Sequence, residues 1–448
     1  MTPDPDPGPV ATPDLEPAPD LEPVTEPATA EAPPVALYAH VPFCVSLCPY
    51  CDFVVEVGAA ARGPRSRVPA FVDALLVELR LRADALDARW GPPGPWAEPP
   101  SAAASAARPP LESLYLGGGT PSLLPASAIA AIIGLVRERF GLAPDAEVTI
   151  EVNPGPDERG DAGALRAAGV TRLSIGAQSL DAGELRSLGR RHAPHDVAAT
   201  VVAARAAGMR SVSLDLLDDV PGGTEASWAR TLDSAIGLEV DHLSLYALTL
   251  DDPEAEGLVG LLGDHLPTTT GARRWREAAR RRQDDDRAAA MYEHAVERLA
   301  TAGFRGYEIS NWARPGHESR HNLAYWRRRP HEAVGPGAHA FDGVRRRWNA
   351  ARLDGYLARL LPIDGAEPAF PPGDADTADA AAVAAERVIL GLRLGEGIPA
   401  AEADRPPLAA HVAWATAAGL LEPADDPRRI RLTTRGRLLS NELFARLV

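Results

Sequence analysis

Lysine is missing from all 448 residues, so each of the 46 basic side chains is an arginine. That removes a P-loop lysine, a Schiff-base lysine and a pyridoxal-phosphate lysine from consideration. Positive charge is short overall. The 62 acidic residues leave a net charge of −16, which argues against nucleic acid as the main partner. The run "ARRWREAARRR" (272–282) reads as the solvated face of a helix. No apolar run approaches the roughly 20 residues that span a bilayer. Residues 1–34 are Pro-rich and acidic, with neither a basic n-region nor an apolar h-region. They read as a disordered tail rather than a signal peptide, and a cytoplasmic location is expected.

Cysteine is equally scarce. Cys44, Cys48 and Cys51 are the whole supply, and all three fall inside "HVPFCVSLCPYCDF" (40–53). The spacing is C-x3-C-x2-C. In a reducing compartment such clusters bind metal more often than they form disulfides. A 4Fe-4S cluster on three thiolates leaves one iron open to an exogenous ligand, which accounts for the odd count. Tetrahedral zinc, with His40 as a fourth ligand, is the rival reading.

What is present in quantity is strand and helix in alternation. "ALYAHV", "LESLYLG", "EVTIEV", "TRLSIG", "SVSLDLL" and "DHLSLYAL" read as strands, separated by amphipathic stretches over 69–86, 126–140, 181–188, 193–207 and 225–236. Repeated βα units mean a parallel sheet, here a partial (βα)6 TIM-like barrel. The segment 91–110 reads as an inserted surface loop and 251–270 as a linker. The expected organisation is a tail over 1–34, a core over 35–270, and a mainly helical, winged-helix-like C-terminal domain over 271–448.

Polar motifs gather at the C-terminal ends of these strands, where barrels of this kind build their sites. The cysteine loop follows the first strand, "GGGTPS" (117–122) the second, "EVNPG" (151–155) ends the third, "GAQS" (176–179) follows the fourth, and Asp215 lies near the end of the fifth. Glycines let backbone amides approach a ligand closely. Without a following lysine the ligand of "GGGTP" is not a nucleoside triphosphate. An amino-acid carboxylate or amine fits, which matches the methionine end of S-adenosyl-L-methionine (SAM) on the open iron. Glu151, Gln178, Arg190 and Asp215 are candidates for hydrogen bonds to its ribose and methionyl groups.

Taken in order, "YAHVPFC…CPYCDF", "LYLGGGTPSLL", "EVNP", "RLSIGAQSLD…LGRRH", "DHLSLYALTL", "YEISNWARPGHESRHNLAYW" and "LTTRGRLLSNELFARL" resemble the coproporphyrinogen dehydrogenase-like branch of the radical SAM proteins. Within it they are most similar to the heme chaperone group. After the third cysteine the oxygen-independent dehydrogenases carry another cysteine two residues on, where this chain has Phe53. The resemblance implies a radical SAM fold and a 4Fe-4S cluster on Cys44, Cys48 and Cys51. It implies SAM contacts from Tyr38, Tyr50, Gly118, Gly119, Thr120, Glu151, Gln178, Arg190, Asp215 and Ala247. It also implies heme as cargo, with His321 of "HNLAYW" (321–326) as axial ligand, and heme-accepting proteins, respiratory ones among them, as partners. A homodimer and a peripheral membrane association are left open by it.

The alternatives to heme transfer are oxidative decarboxylation of coproporphyrinogen III and a structural zinc protein. One departure stands out: "DDVPGGT" (218–224) occupies the place of the usual "YGLPGQT", and its two carboxylates read as solvated, with weakened SAM or tetrapyrrole binding as the alternative.

Overall fold

A computed structural model of the chain describes residues 31–94, 107–250, 253–363, 365–405 and 408–447. The expected tail lies outside the described residues up to residue 30, and so does the middle of the 91–110 insertion, 95–106.

Each apolar run becomes a strand: β1 (Ala36–Val41), β2 (Leu111–Gly118), β3 (Leu142–Val152), β4 (Arg172–Gln178), β5 (Ser211–Asp218) and β6 (His242–Ala247). They pair in parallel and lie side by side in chain order. The connecting helices are α1 (Val68–Trp90), α2 (Ala126–Arg139), α3 (Ala162–Ala168), α4 (Ala182–Ser187), α5 (Pro194–Ala206) and α6 (Glu225–Gly237). Unbroken strand order with right-handed crossovers puts all helices on one face, so the sheet curls around its other face as an open barrel. Leu37, Leu114, Ile150, Ile175, Leu214 and Leu243, one per strand, lie at 0% exposure within one core. Burial on both faces is why these strands read as continuous apolar runs. Helix starts are fixed by caps: the Asp181 carboxylate accepts from the Gly183 and Glu184 amides, and Thr224 with Ser227 forms a reciprocal box. These caps set where each loop leaves the sheet, and thus where its polar residues sit.

The rest of the chain returns to the same sheet. After α7 (Thr270–Arg280) and α8 (Asp285–Thr301), β7 (Arg305–Gly306) and β8 (Asn311–Ala313) add antiparallel at the β6 edge. Beyond α9 (Arg320–Trp326), β9 (His331–Val334) adds parallel to β1. An antiparallel meander follows in β10 (His339–Phe341), β11 (Arg345–Asn349) and, past α10 (Leu353–Leu360), β12 (Gly373–Thr377). The complete order is β12-β11-β10-β9-β1-β2-β3-β4-β5-β6-β8-β7. The last described residues form α11 (Ala380–Arg393), a helix over Leu408–Ala417, three short helices (Ala400–Ala403, Thr434–Leu438 and Ser440–Phe444), and a small sheet of Ile398–Pro399, Arg429–Leu432 and Leu421–Pro423. Val388, Leu392 and Leu443 build a separate core there. This is the winged-helix-like part.

Candidate functional site: a three-thiol loop at the barrel mouth

The cysteine loop leaves β1 and is closed on itself by a two-residue parallel pairing of Phe43–Cys44 with Glu56–Val57. Phe43 is fully buried edge-on against Phe71, ring centroids 5.3 Å apart. The Gly119 amide donates to Val41 O (2.9 Å) and the Thr120 amide to Phe43 O (2.7 Å), which ties the "GGGTP" turn to the loop. At Gly118, φ is +108° and an added Cβ would lie 2.3 Å from the His40 ring, so only glycine fits this turn.

From there a continuous polar chain spans four strand ends. Cys44 Sγ lies 3.4 Å from Thr120 Oγ1, which accepts from Asn153 Nδ2 (2.8 Å). Asn153 Oδ1 accepts from Arg190 Nη2 (2.5 Å), which also donates to Gly176 O (2.8 Å). Arg190 Nη1 completes the chain at Cys48 Sγ (3.5 Å). The Cys51 amide donates to Cys48 O (3.0 Å), closing a tight turn between the second and third cysteines.

The arginine-rich helix α7 is not a simple solvated face. Arg276, 4% exposed, donates to Pro49 O (3.2 Å) and Cys51 O (2.9 Å), inside the cysteine loop. Trp275 packs on Tyr50 at 6.2 Å, and its indole N–H donates to Ser187 O (3.0 Å). Sequence reasoning missed Arg276, Asn153 and the Tyr115 contact described below. Asn153 at least lay within the quoted "EVNPG".

Burial pushes the Cys44 thiol up to about 11 and the Cys51 thiol to about 12. Thiols so placed become ligands when a cationic centre replaces their protons. His40 is not a zinc ligand here. Its Nδ1 is bonded to the Tyr38 hydroxyl (2.9 Å) and its Nε2 to Val54 O (2.8 Å), and burial lowers its pKa to about 4. Among the described residues no three such side chains converge on a single ion. The donor set is thus three sulfurs spread along one loop beside a guanidinium, which suits a cluster with separate corners better than a tetrahedral ion.

The other SAM candidates line the same mouth. Glu151 accepts from the Gly118 amide (2.8 Å) and the Tyr115 hydroxyl (2.8 Å), and burial, reinforced by Asp215, pushes it up to about 7. Asp215 accepts from Ser174 (3.0 Å) and is likewise raised by burial. Gln178 closes β4 at φ +66°, a strained setting for a residue with a side chain. Ala247 ends β6 and is exposed. The Tyr50 hydroxyl and Arg190 Nε are both buried without a hydrogen-bond partner among the described residues, as polar atoms kept for a polar ligand would be.

His321 stands apart from this mouth, in the layer behind it. It is 1% exposed; its Nδ1 pairs with the Ser113 hydroxyl (2.9 Å) and its Nε2 with the Tyr325 hydroxyl (2.8 Å). Burial lowers its pKa to about 3. Rings of Tyr38, Tyr115 and His321 lie 5.1–6.4 Å from one another, so "HNLAYW" backs directly onto the first and second strands. The expectation that Asp218 and Asp219 are solvated is corrected: each is 4% exposed. Asp219 pairs with Arg287 and accepts from the Asp284 amide (3.1 Å) at the start of α8.

Residues 38–235 match the Radical SAM superfamily, the class that this fold and thiol loop define. The chain is 37% identical to the heme chaperone HemW of Mycobacterium tuberculosis across 93% of this chain and 95% of that protein. It is 31% identical to HemW of Synechocystis across 82% and 79%. The chain belongs to the HemW heme chaperone family. Its fold is shared with coproporphyrinogen III oxidase (HemN) of Escherichia coli at a TM-score of 0.70 and 22% identity, covering 94% of this chain and 91% of that one. Family membership implies a 4Fe-4S cluster and SAM. Among the described residues no helix is long and apolar enough to cross a membrane.

Proposed function

We propose that this protein carries heme in the cytoplasm and passes it to acceptor proteins, respiratory ones included. Cys44, Cys48 and Cys51 hold a 4Fe-4S cluster, and SAM lies between the "GGGTP" turn and Arg190. When bound, those groups supply an open iron coordination site and a source of radical chemistry. The chain's own residues do the positioning. Thr120, Asn153 and Arg190 fix the sulfurs of Cys44 and Cys48 relative to each other. Gly118 and Glu151 offer one wall to the methionyl group, and Tyr50 with Trp275 shields the loop from water. Residues 35–270 hold this centre, and 271–448 supply α7, which clamps it, and "HNLAYW", which backs it. In this arrangement His321 acts on heme through Tyr325, since using either ring nitrogen for iron means breaking a buried hydrogen bond.

The observation that carries the reading is the near full-length similarity to proteins named heme chaperones, joined to Phe53 standing where a fourth sulfur would be. Phe53 is 64% exposed next to the cluster loop. The test is an anaerobic assay of the cluster-reconstituted chain with SAM, reductant and coproporphyrinogen III, run beside heme transfer to an apo-hemoprotein. Heme transfer without protoporphyrin supports the proposal. Protoporphyrin formed over several turnovers and lost in Cys48→Ser would make the protein an oxidative decarboxylase instead.

A further inference from the structure

Next to the cluster loop lies an open cleft of about 390 Å3, within the range of small-ligand pockets. The exit of the cluster loop at 52–54, the connector at 264–265 and the turn between β9 and β10 meet there, against Tyr38 and His40 of β1, His331 of β9 and Tyr325 of α9. Gly337 lets them meet. Its φ is +71°, and an added Cβ would lie 2.7 Å from Val54 Cγ2 and 3.1 Å from Asp264 O. From α1, buried Glu78 accepts the Gly335 amide (2.9 Å), anchoring the same turn to the barrel.

Asp264 holds two imidazoles. Its Oδ1 accepts from His265 Nδ1 (3.0 Å) and its Oδ2 from His339 Nε2 (2.8 Å). His339 is also stacked on Trp348, with 5.8 Å between centroids and 20° between planes. A carboxylate on Nδ1 fixes the tautomer that leaves the Nε2 lone pair free, the arrangement that orients metal-ligating histidines. The other histidines of the cleft are placed differently. His40 has both nitrogens bonded, and His331, whose Nδ1 faces the Arg329 carbonyl (3.2 Å), is packed edge-on against the Tyr325 ring with 4.5 Å between centroids. Among the described residues His265 hydrogen-bonds through Nδ1 alone, and its side chain is 25% exposed. Close by in the chain, Leu261 and Leu262 are 81% and 44% exposed, and Phe53 exposes a further apolar face beside the cleft. Exposed apolar side chains around a polar, histidine-bearing cleft suit a flat, apolar ligand with a metal centre that must also leave.

We propose that heme docks in this cleft with His265 Nε2 as an axial ligand, its macrocycle against Phe53. The placement rests on the heme-carrier reading and assigns that cargo a ligand outside "HNLAYW". Asp264 is a positioning residue for it.

Ferric heme is titrated into the full-length, cluster-reconstituted chain, and its spin state is followed by resonance Raman and electron paramagnetic resonance. The wild type gives a histidine-ligated signature. His265→Gly binds more than about tenfold more weakly and loses it, added imidazole restores it, and Asp264→Asn weakens binding by about 10–100-fold. A His265→Gly protein that ligates heme as the wild type does overturns the assignment, as does loss of the signature in His331→Ala alone. A wild type that takes up no heme sinks the carrier reading itself, a result distinct from failure of the His265 assignment.

Discussion

Arg190 donates to the sulfur of Cys48 while holding Asn153, and through it Thr120 and Cys44, in one hydrogen-bonded chain. One guanidinium thus sets the relative position of two thiols that lie on the same loop but face different strands. Arg190→Met leaves the three sulfurs in place and removes a charged donor, a loss of about 1.5–3 kcal/mol per hydrogen bond. The expected result is near-normal iron content after reconstitution with SAM affinity reduced by about tenfold or more. Equilibrium dialysis with SAM checks it, and an unchanged affinity would refute the positioning role.

Arg276 reaches the same loop from the opposite side and from far along the chain. In Arg276→Ala the carbonyls of Pro49 and Cys51 lose a charged partner, but the core is untouched. Global unfolding temperature should change little, while iron release to a chelator quickens several-fold. Equal release rates in the two proteins would show that the loop is held by its thiols alone.

Gly118→Ala places a methyl group against the His40 imidazole and forces alanine to φ +108°. Overpacking of this kind costs about 1–3 kcal/mol, and the backbone conformation adds to it. A lower urea midpoint at unchanged m-value, together with loss of SAM binding, is the outcome to look for.

Asp218 gives a pH dependence with a defined sign. Burial, then the neighbouring Asp219, pushes its carboxyl up to about 7, and Oδ1 has no hydrogen-bond partner. Below about pH 4 the group is protonated in both folded and unfolded chains, so its contribution is fully present. Between about 4 and 7 the unfolded chain releases the proton and the folded chain keeps it, so stability falls as pH rises, by about 1.4 kcal/mol per pK unit. Asp218→Asn should therefore be close to neutral at pH 4 and stabilising at pH 8. Glu151, also raised to about 7, leaves a residual slope of the same sign. Thermal melts of both proteins across this range decide the matter; parallel curves would mean that Asp218 finds a partner in solution.

The barrel was legible because its strands are buried on both faces and therefore written in apolar residues. "SVSLDLL" and "ALYAHV" become β5 and β1 within a residue. The meander was not legible. Its β11 is "RRRWN", polar because only Asn349 in it is buried, and neither period nor apolar content marks such a strand. The site divides along the same line. Cysteines, glycines and the strand-end polar residues announce themselves by type and position. The clamp by Arg276 joins residues 225 positions apart from Cys51 and depends on how α7 docks, which local pattern does not encode. His321 looked available as a ligand because a sequence shows which nitrogens a histidine has, not which are already bonded.

The sheet order carries a consequence for how this chain is made. The barrel's own edge strands, β1 and β6, are both covered by residues synthesised later: β6 by β8, and β1 by β9. On a ribosome, the first 270 residues emerge with two bare rows of backbone donors and acceptors, each a template for a wrong partner. The edges close in the reverse sequence of their making, β6 first and β1 last. A fragment ending at 270 should then associate with itself. The half that bears the thiols has to wait for the half that follows before it can become a stable, solitary molecule.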